Sequence, residues 1–171
     1  VEAISVSSLN KNKLEVDSRY VNLKYINDDE WIFFSNYQSQ KAYQFESHDQ
    51  VAVTIFWKST YVQVRMLAKI TKSSKNFSDK HFLNRDDKKN ALAVSSNQSK
   101  PVDSYDEVLK NYNDTLNNQK ILKNRPDYWG GYSFKPFSFE FWEGNTYRLN
   151  RRQKFTYSKN EDVWNKCFLQ P

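Results

Sequence analysis

The chain reads as a mainly β protein with inserted helices, built as a closed or split antiparallel barrel, and three observations lead there. Segments with strand signals come first, helical ones occupy the middle and strands return at the end, without the strand–helix–strand alternation of a parallel sheet. Aromatic residues make up 16% of the 171, and such side chains favour pleated surfaces; the core is therefore expected to draw on Phe, Tyr and Trp more than on aliphatics. All three glycines lie between positions 130 and 144, which concentrates tight backbone geometry in one late segment, whether by positive φ or by close approach of another group.

The elements follow in order. Strands are expected over 3–9, 19–26, 31–35, 50–57 and 61–71, with period-2 alternation plain in Tyr20-Val21-Asn22-Leu23-Lys24 and Val62-Gln63-Val64-Arg65-Met66. Asn10-Lys11-Asn12 and Asn27-Asp28-Asp29 punctuate them as turns. Residues 38–47 have helical character, with Ala42 and Phe45 a turn apart. A second helix is expected over 74–83, carrying Phe77 and Phe82, and a third after an Asp103 cap, with Val108, Leu109, Tyr112 and Leu116 as its apolar stripe and Asn117-Asn118-Gln119 as its end. Strands resume over 132–135, 138–142, 147–157 and 163–169. The chain opens at Val1, without Met and inside a strand pattern, so residues upstream are expected.

Length and composition bound the function. A chain of 171 residues fits one domain, 1–171, with a sizeable core. The lone Cys167 excludes an intramolecular disulfide framework and reads as a buried structural thiol in the last strand. Two histidines, His48 and His81, and no Cys or His pair at ligand spacing leave no metal site. The net charge of +6 invites a nucleic-acid reading, but the lysines are scattered among asparagines and serines, and an anionic small-molecule ligand accounts for a basic surface. No apolar run reaches membrane-span length and no signal segment opens the chain, so a soluble cytoplasmic protein is expected.

Two stretches carry the chemistry. Trp129-Gly130-Gly131-Tyr132, Pro136, Glu140-Phe141-Trp142 and Arg148-Leu149 form a long ordered pattern, though Gly-Gly and Gly-Asn also fit plain hairpin turns. Nearer the start, Ser18-Arg19-Tyr20-Val21-Asn22-Leu23-Lys24 sets Arg19, Val21 and Leu23 on one strand face and Lys24 on the other. Phe34-Ser35-Asn36-Tyr37-Gln38-Ser39-Gln40-Lys41 then places hydroxyls and a lysine where a strand ends and a helix begins, a geometry suited to anions.

Together and in this order, these motifs resemble those of the pyridoxamine 5'-phosphate oxidases, FMN flavoproteins, across nearly the whole chain. The resemblance implies an FMN-binding split barrel, a homodimer with FMN at the interface, and 126–171 as the dimerisation and flavin-site region. It implies that Arg19 and Lys41 hold the FMN phosphate, with Tyr20, Val21, Asn22, Leu23 and Lys24 along the same strand. Phe34 and Ser35 would line the flavin, and Gln63, Gln98, Ser99, Trp142 and Arg152 complete the cofactor site. Lys24, His81, Arg85, Lys89, Arg148 and Asn150 would bind a phosphorylated small-molecule substrate, Arg148 acting as the catalytic residue that packs on it and Arg152 helping to tune the ring. Arg151 and Arg152 also fit rim charges on a strand.

Departures from the family pattern fall mostly at the substrate end. Gln40 stands where the family has arginine, His81 for its tyrosine, Lys89 for its serine, and Asn150 for the histidine of Arg-Leu-His. The resemblance thus implies oxidation of pyridoxamine or pyridoxine 5'-phosphate with O2 as acceptor. A different flavin oxidoreductase on the same scaffold, and a non-catalytic FMN or vitamin B6 phosphate binding protein, remain alternatives.

Overall fold

The computed structural model describes residues 2–171; Val1, and with it the opening of the first strand pattern, lies outside the described residues. Strands β1 (Glu2–Asn10) and β2 (Glu15–Leu23) form a hairpin. Its turn is fixed where Asn10 Oδ1 accepts from the backbone N–H groups of Asn12 and Lys13. The single strand expected over 19–26 is broken at Lys24, whose N–H donates to the Ile32 carbonyl at 2.8 Å. Short β3 (Tyr25–Asn27) then pairs with β4 (Glu30–Asn36). Helix α1 (Gln40–Ser47) leads into the hairpin of β5 (Gln50–Trp57) and β6 (Val62–Lys72). Every strand pairing among the described residues is antiparallel, in the order β2-β1-β5-β6-β7-β4-β3, β7 being Trp129–Glu143. Because β2 and β3 sit at opposite ends of that order yet flank Lys24, the sheet must curl toward closure.

Three capped helices fill the middle. Ser74 Oγ accepts from Phe77 N–H at the start of α2 (Lys75–Leu83), Asp86 caps α3 (Asp87–Ser95), and Ser104 caps α4 (Tyr105–Leu116). The cap of α4 is Ser104 rather than the expected Asp103, because Ser-x-x-Glu places Ser104 three residues before Glu107 and its hydroxyl accepts from the Glu107 N–H. Helix α3 was not foreseen: Ala91, Leu92, Ala93 and Val94 form a continuous apolar run without helical period. It is pinned by buried Asn90, whose Nδ2 donates to the carbonyls of Phe82 and of Leu122 in the one-turn α5 (Gln119–Leu122). Among the described residues no helix is long and apolar enough to cross a membrane.

The two strands expected over 132–135 and 138–142 are one, β7 (Trp129–Glu143). Its first half pairs with β4, its second with β8 (Arg151–Ser158), and both halves with β6. The register on β6 shifts at Leu67/Ala68, where Ser138 and Pro136 are the successive partners and Phe137 is the extra residue. A proline that cannot donate to the ladder is accommodated at such a bulge. β8 begins at Arg151, later than expected, because residues 145–150 form a loop; β9 (Val163–Leu169) closes the chain on β8.

The main core corrects the composition argument. It is mostly aliphatic, from Ile4 and Val6 of β1, Val51, Val53 and Ile55 of β5, and Val64, Met66, Ala68 and Ile70 of β6, closed by Phe33, Phe45, Tyr132 and Phe134. Many aromatics are instead exposed on the single chain, among them Tyr20, Phe56, Tyr61, Tyr147 and Phe168. Cys167 is also exposed rather than buried, since β9 is an outer strand that pairs only with β8 among the described residues.

Of the expected uses of the glycines, close approach holds, while positive φ and a Gly-Gly turn do not. None of the three, all among the described residues, adopts positive φ, and Gly130 and Gly131 lie inside β7. Their use is close approach. A Cβ on Gly130 would overlap the Tyr37 hydroxyl, and one on Gly131 would sit 2.7 Å from Ser73 Oγ. Through that gap the Gly131 N–H reaches Ser78 Oγ at 3.1 Å and Tyr37 Oη donates to the Gly131 carbonyl at 3.0 Å. Helix α2 is thereby docked on the strand that begins at Trp129.

Candidate functional site

A cavity of about 850 Å³ opens where β2, β4, the start of α1, the α2–α3 corner and the start of β7 meet. β2 contributes Arg19, Tyr20, Val21 and Asn22, followed by Lys24; β4 contributes Phe34 and Ser35. Gln40 and Lys41 come from α1, His81, Arg85 and Lys89 from the helical corner, and Gln98 and Ser99 from the loop after α3. Thirteen of the candidate site residues, together with Gln40, therefore line one space. Leu23 does not: it shares the strand face of Arg19 and Val21, but at 6% exposure it belongs to the main core.

One end of the cavity is built for an anion. Lys41 is 8% exposed, and burial, aided by the nearby Arg19 guanidinium, holds its ammonium down at about 8. Its Nζ donates to Ser39 Oγ at 3.2 Å. Arg19 lies beside it, gripped by Val6, Ser8, Asp17 and Gln44. Gln98 Oε1 accepts from Ser35 Oγ and from the Asn36 N–H, both at 3.2 Å, tying the loop after α3 to the end of β4. Ser99 follows with φ of 70°, a left-handed conformation unusual for a non-glycine residue.

The other end is aromatic and cationic. Phe34 stacks on His81 with ring centroids 3.7 Å apart and on Trp129 at 5.3 Å. Arg85 lies over the Trp129 ring at 4.3 Å and donates from Nη2 to the Lys89 carbonyl. Its Nη1 is buried without a partner among the described residues, which a bound anion would satisfy. Burial holds the Arg85 guanidinium down at about 10. For His81, burial first and then Arg85 and Lys24 push the imidazole down to about 4, so it is neutral at physiological pH. Tyr25, which sequence reasoning passed over, meets His81 Nδ1 at 2.8 Å. Trp129 and Asp17 were also missed as lining residues; two-residue spacing from Arg19 on a strand was the available signal for Asp17.

The remaining candidates gather elsewhere. Gln63 faces Trp142 across β6 and β7, and Trp142 faces Arg152 across β7 and β8. Trp142, Arg148 and Asn150 line a second, open depression with Tyr61 and Gly144. Arg152 is engaged: its Nε and Nη2 donate to Glu140 Oε1 at 3.0 and 2.7 Å and its Nη1 to the Gln170 carbonyl at 2.9 Å. Asn150 Oδ1 accepts from the Asn145 N–H at 3.0 Å, shaping the loop in which Arg148 takes φ of 62°. Trp129 and Trp142 stand thirteen residues apart on β7, up to roughly 40 Å of strand. A single chain thus carries two separate groups of candidate residues.

Residues 129–171 match the family model described as the pyridoxine 5'-phosphate oxidase C-terminal dimerisation region. Over 170 residues the chain is 33% identical to pyridoxine/pyridoxamine 5'-phosphate oxidase 1 of Hydrogenovibrio crunogenus, covering 99% of this chain and 78% of that protein. It is 36% identical over 155 residues to the pyridoxine/pyridoxamine 5'-phosphate oxidase of Haemophilus influenzae, covering 91% and 73%. Among solved structures, PhzG from Burkholderia lata 383, in complex with tetrahydrophenazine-1-carboxylic acid, superposes with a TM-score of 0.91 at 22% identity, over 99% of this chain and 82% of the other. A pyridoxamine 5'-phosphate oxidase-related, FMN binding protein from Nostoc punctiforme gives 0.78 at 13% identity, over 99% and 87%. These two likenesses establish the split-barrel fold.

Proposed function

The chain belongs to the pyridoxine/pyridoxamine 5'-phosphate oxidase family, and from that premise we propose that it is an FMN-dependent oxidase of pyridoxamine or pyridoxine 5'-phosphate that works as a homodimer. The observation that carries the reading is the cavity, in which a buried cation at one end, an aromatic wall and three further cations at the other end fit a ligand pair with phosphates at both extremes. The residues present fit FMN. Lys41 and the Arg19 Nε–H would meet its phosphate, and the Ser35 hydroxyl and the loop bearing Gln98 and Ser99 would border its body. The unpartnered Arg85 Nη1, with Lys24 and Lys89, would hold the substrate phosphate, and neutral His81 would offer a hydrogen bond without adding charge.

Bound FMN would supply the two-electron chemistry that oxidises the substrate's alcohol-bearing carbon to a carbonyl, or its amine-bearing carbon to an imine that water then hydrolyses to the carbonyl with release of ammonia, O2 being the final electron acceptor. The chain's own part is to bind, orient and exclude water. Arg148 would close over the substrate and Gln63, Trp142 and Arg152 over the flavin, but from the second protomer. Three features support that assembly: the separation of the two groups along β7, the match of residues 129–171 to a dimerisation region, and exposed apolar side chains there, with Tyr147 85% and Leu149 73% exposed. We assign the single domain to 1–171 and the dimerisation and flavin-site region to 126–171.

A second reading keeps the flavin and changes the substrate. His81, held neutral against Phe34, and Asn150, committed to the Asn145 amide, both favour it. The purified protein is expected to take up FMN and turn yellow; anaerobic pyridoxamine 5'-phosphate then bleaches the flavin and air restores it. Colour that persists with this substrate supports the second reading, and failure to take up FMN at all overturns both.

A further inference from the structure

We propose that Asp17 is an affinity-setting residue of the FMN site: it draws the Arg19 guanidinium away from the cofactor phosphate and so makes FMN binding weaker than the site's two cations would otherwise give. This rests on the FMN reading of the cavity given above.

A guanidinium has five N–H donors. Arg19 Nη1 donates to the Val6 carbonyl at 3.2 Å and to Ser8 Oγ at 2.6 Å, and Nη2 donates to Asp17 Oδ2 at 2.7 Å and to Gln44 Oε1 at 2.6 Å. The four terminal N–H groups are thereby used within the chain, and Nε–H is the donor left over. Gln44 is itself fixed, because it is buried and its Oε1 also accepts from Ser8 Oγ at 2.6 Å. The guanidinium is locked from behind and cannot turn a fork of two donors toward a phosphate without breaking these bonds.

Asp17 also acts through its charge. It lines the same cavity as Arg19, Gln40 and Lys41, with its side chain 44% exposed and that of Arg19 16% exposed. A phosphate monoester brings roughly −1.5 to −2 charges at neutral pH. At this end of the cavity it meets two cations, Arg19 and Lys41, against one carboxylate, with the uncharged Gln40 alongside. The carboxylate both neutralises the nearer cation and repels the incoming dianion.

The test uses the full chain, freed of bound flavin, and titrates FMN by quenching of flavin fluorescence. Riboflavin, which lacks the phosphate, serves as the comparison ligand. Asp17→Asn keeps a side chain that can still meet Arg19 but removes the charge, and Asp17→Ser removes both; melting curves establish that each variant is folded. The expected result is FMN binding tighter by about tenfold or more in both variants, with riboflavin binding unchanged. FMN affinity unchanged or weakened in the folded variants overturns the proposal, and so does equal tightening toward riboflavin, which would locate the effect away from the phosphate. If neither wild type nor variants bind either flavin, the FMN reading of the cavity falls, and this inference with it.

Discussion

At Lys41 the cation that would meet the FMN phosphate is held by burial, and by Arg19, at about 8. It is charged below that pH and loses its proton above it, so FMN affinity is expected to fall roughly tenfold between pH 7 and 9. Lys41→Met should flatten that dependence; a wild-type affinity constant across the range contradicts the assignment. Stability moves the other way. The unfolded chain binds the proton more tightly, near 10.5, so between about 8 and 10.5 this residue's contribution favours folding more as pH rises. Asn150 offers a second test at this scale. Its Oδ1 accepts from the Asn145 N–H, a bond that a histidine Nδ1 can also accept. Asn150→His is thus expected to keep the loop and to raise turnover of pyridoxamine 5'-phosphate about tenfold or more, measured by steady-state kinetics; unchanged turnover in a folded variant argues for a different substrate. Arg19, Lys41 and Phe34 were legible as lining residues because the motifs carry them, and for Arg19 the strand period agrees. Tyr25 was not, since its importance comes from His81, 56 residues away, which only the fold brings beside it; Asp17 was passed over although it stands two residues from Arg19 on the same strand.

Among the elements, β7 shows what spacing alone cannot supply. Pro136 reads as a break between two strands, yet the bulge at Phe137 absorbs it and one strand runs from Trp129 at the cavity to Trp142 at the second group. The glycine pair also fits a turn in sequence, but its use is the close approach, as a docking seat for Tyr37, Ser73 and Ser78. Gly131→Ala is expected to lower stability by about 1–3 kcal/mol, since its Cβ would press on Ser73 and lie 3.3 Å from the Phe34 ring. Chemical denaturation checks this; a loss below about 0.5 kcal/mol would show that Ser73 yields without strain. Strand alternation exposed most of the sheet to reading, as in β5 and β6. Helix α3 escaped because its apolar residues are consecutive, and what holds it includes a buried amide, Asn90, and the Tyr128 hydroxyl on the Val94 carbonyl.

For the whole molecule the sequence order of strands, helices and strands was enough to anticipate an antiparallel barrel, and resemblance narrowed it to the split form. The exposed aromatics and Cys167 were not foreseen, because composition says how many apolar side chains exist and not which of them await a second chain. Thirteen candidate residues share one cavity in the single chain, while Gln63, Trp142, Arg148, Asn150 and Arg152 lie beyond it. Co-expression of an Arg85→Ala chain with an Arg148→Ala chain is therefore expected to restore activity that neither homodimer shows, one intact site forming in each mixed dimer. The most direct measurement is sedimentation velocity of the FMN-loaded protein followed at the flavin's visible absorbance. The account predicts flavin travelling with a species of twice the chain's mass, one flavin per chain. Flavin travelling with a single chain would contradict a site completed by two protomers.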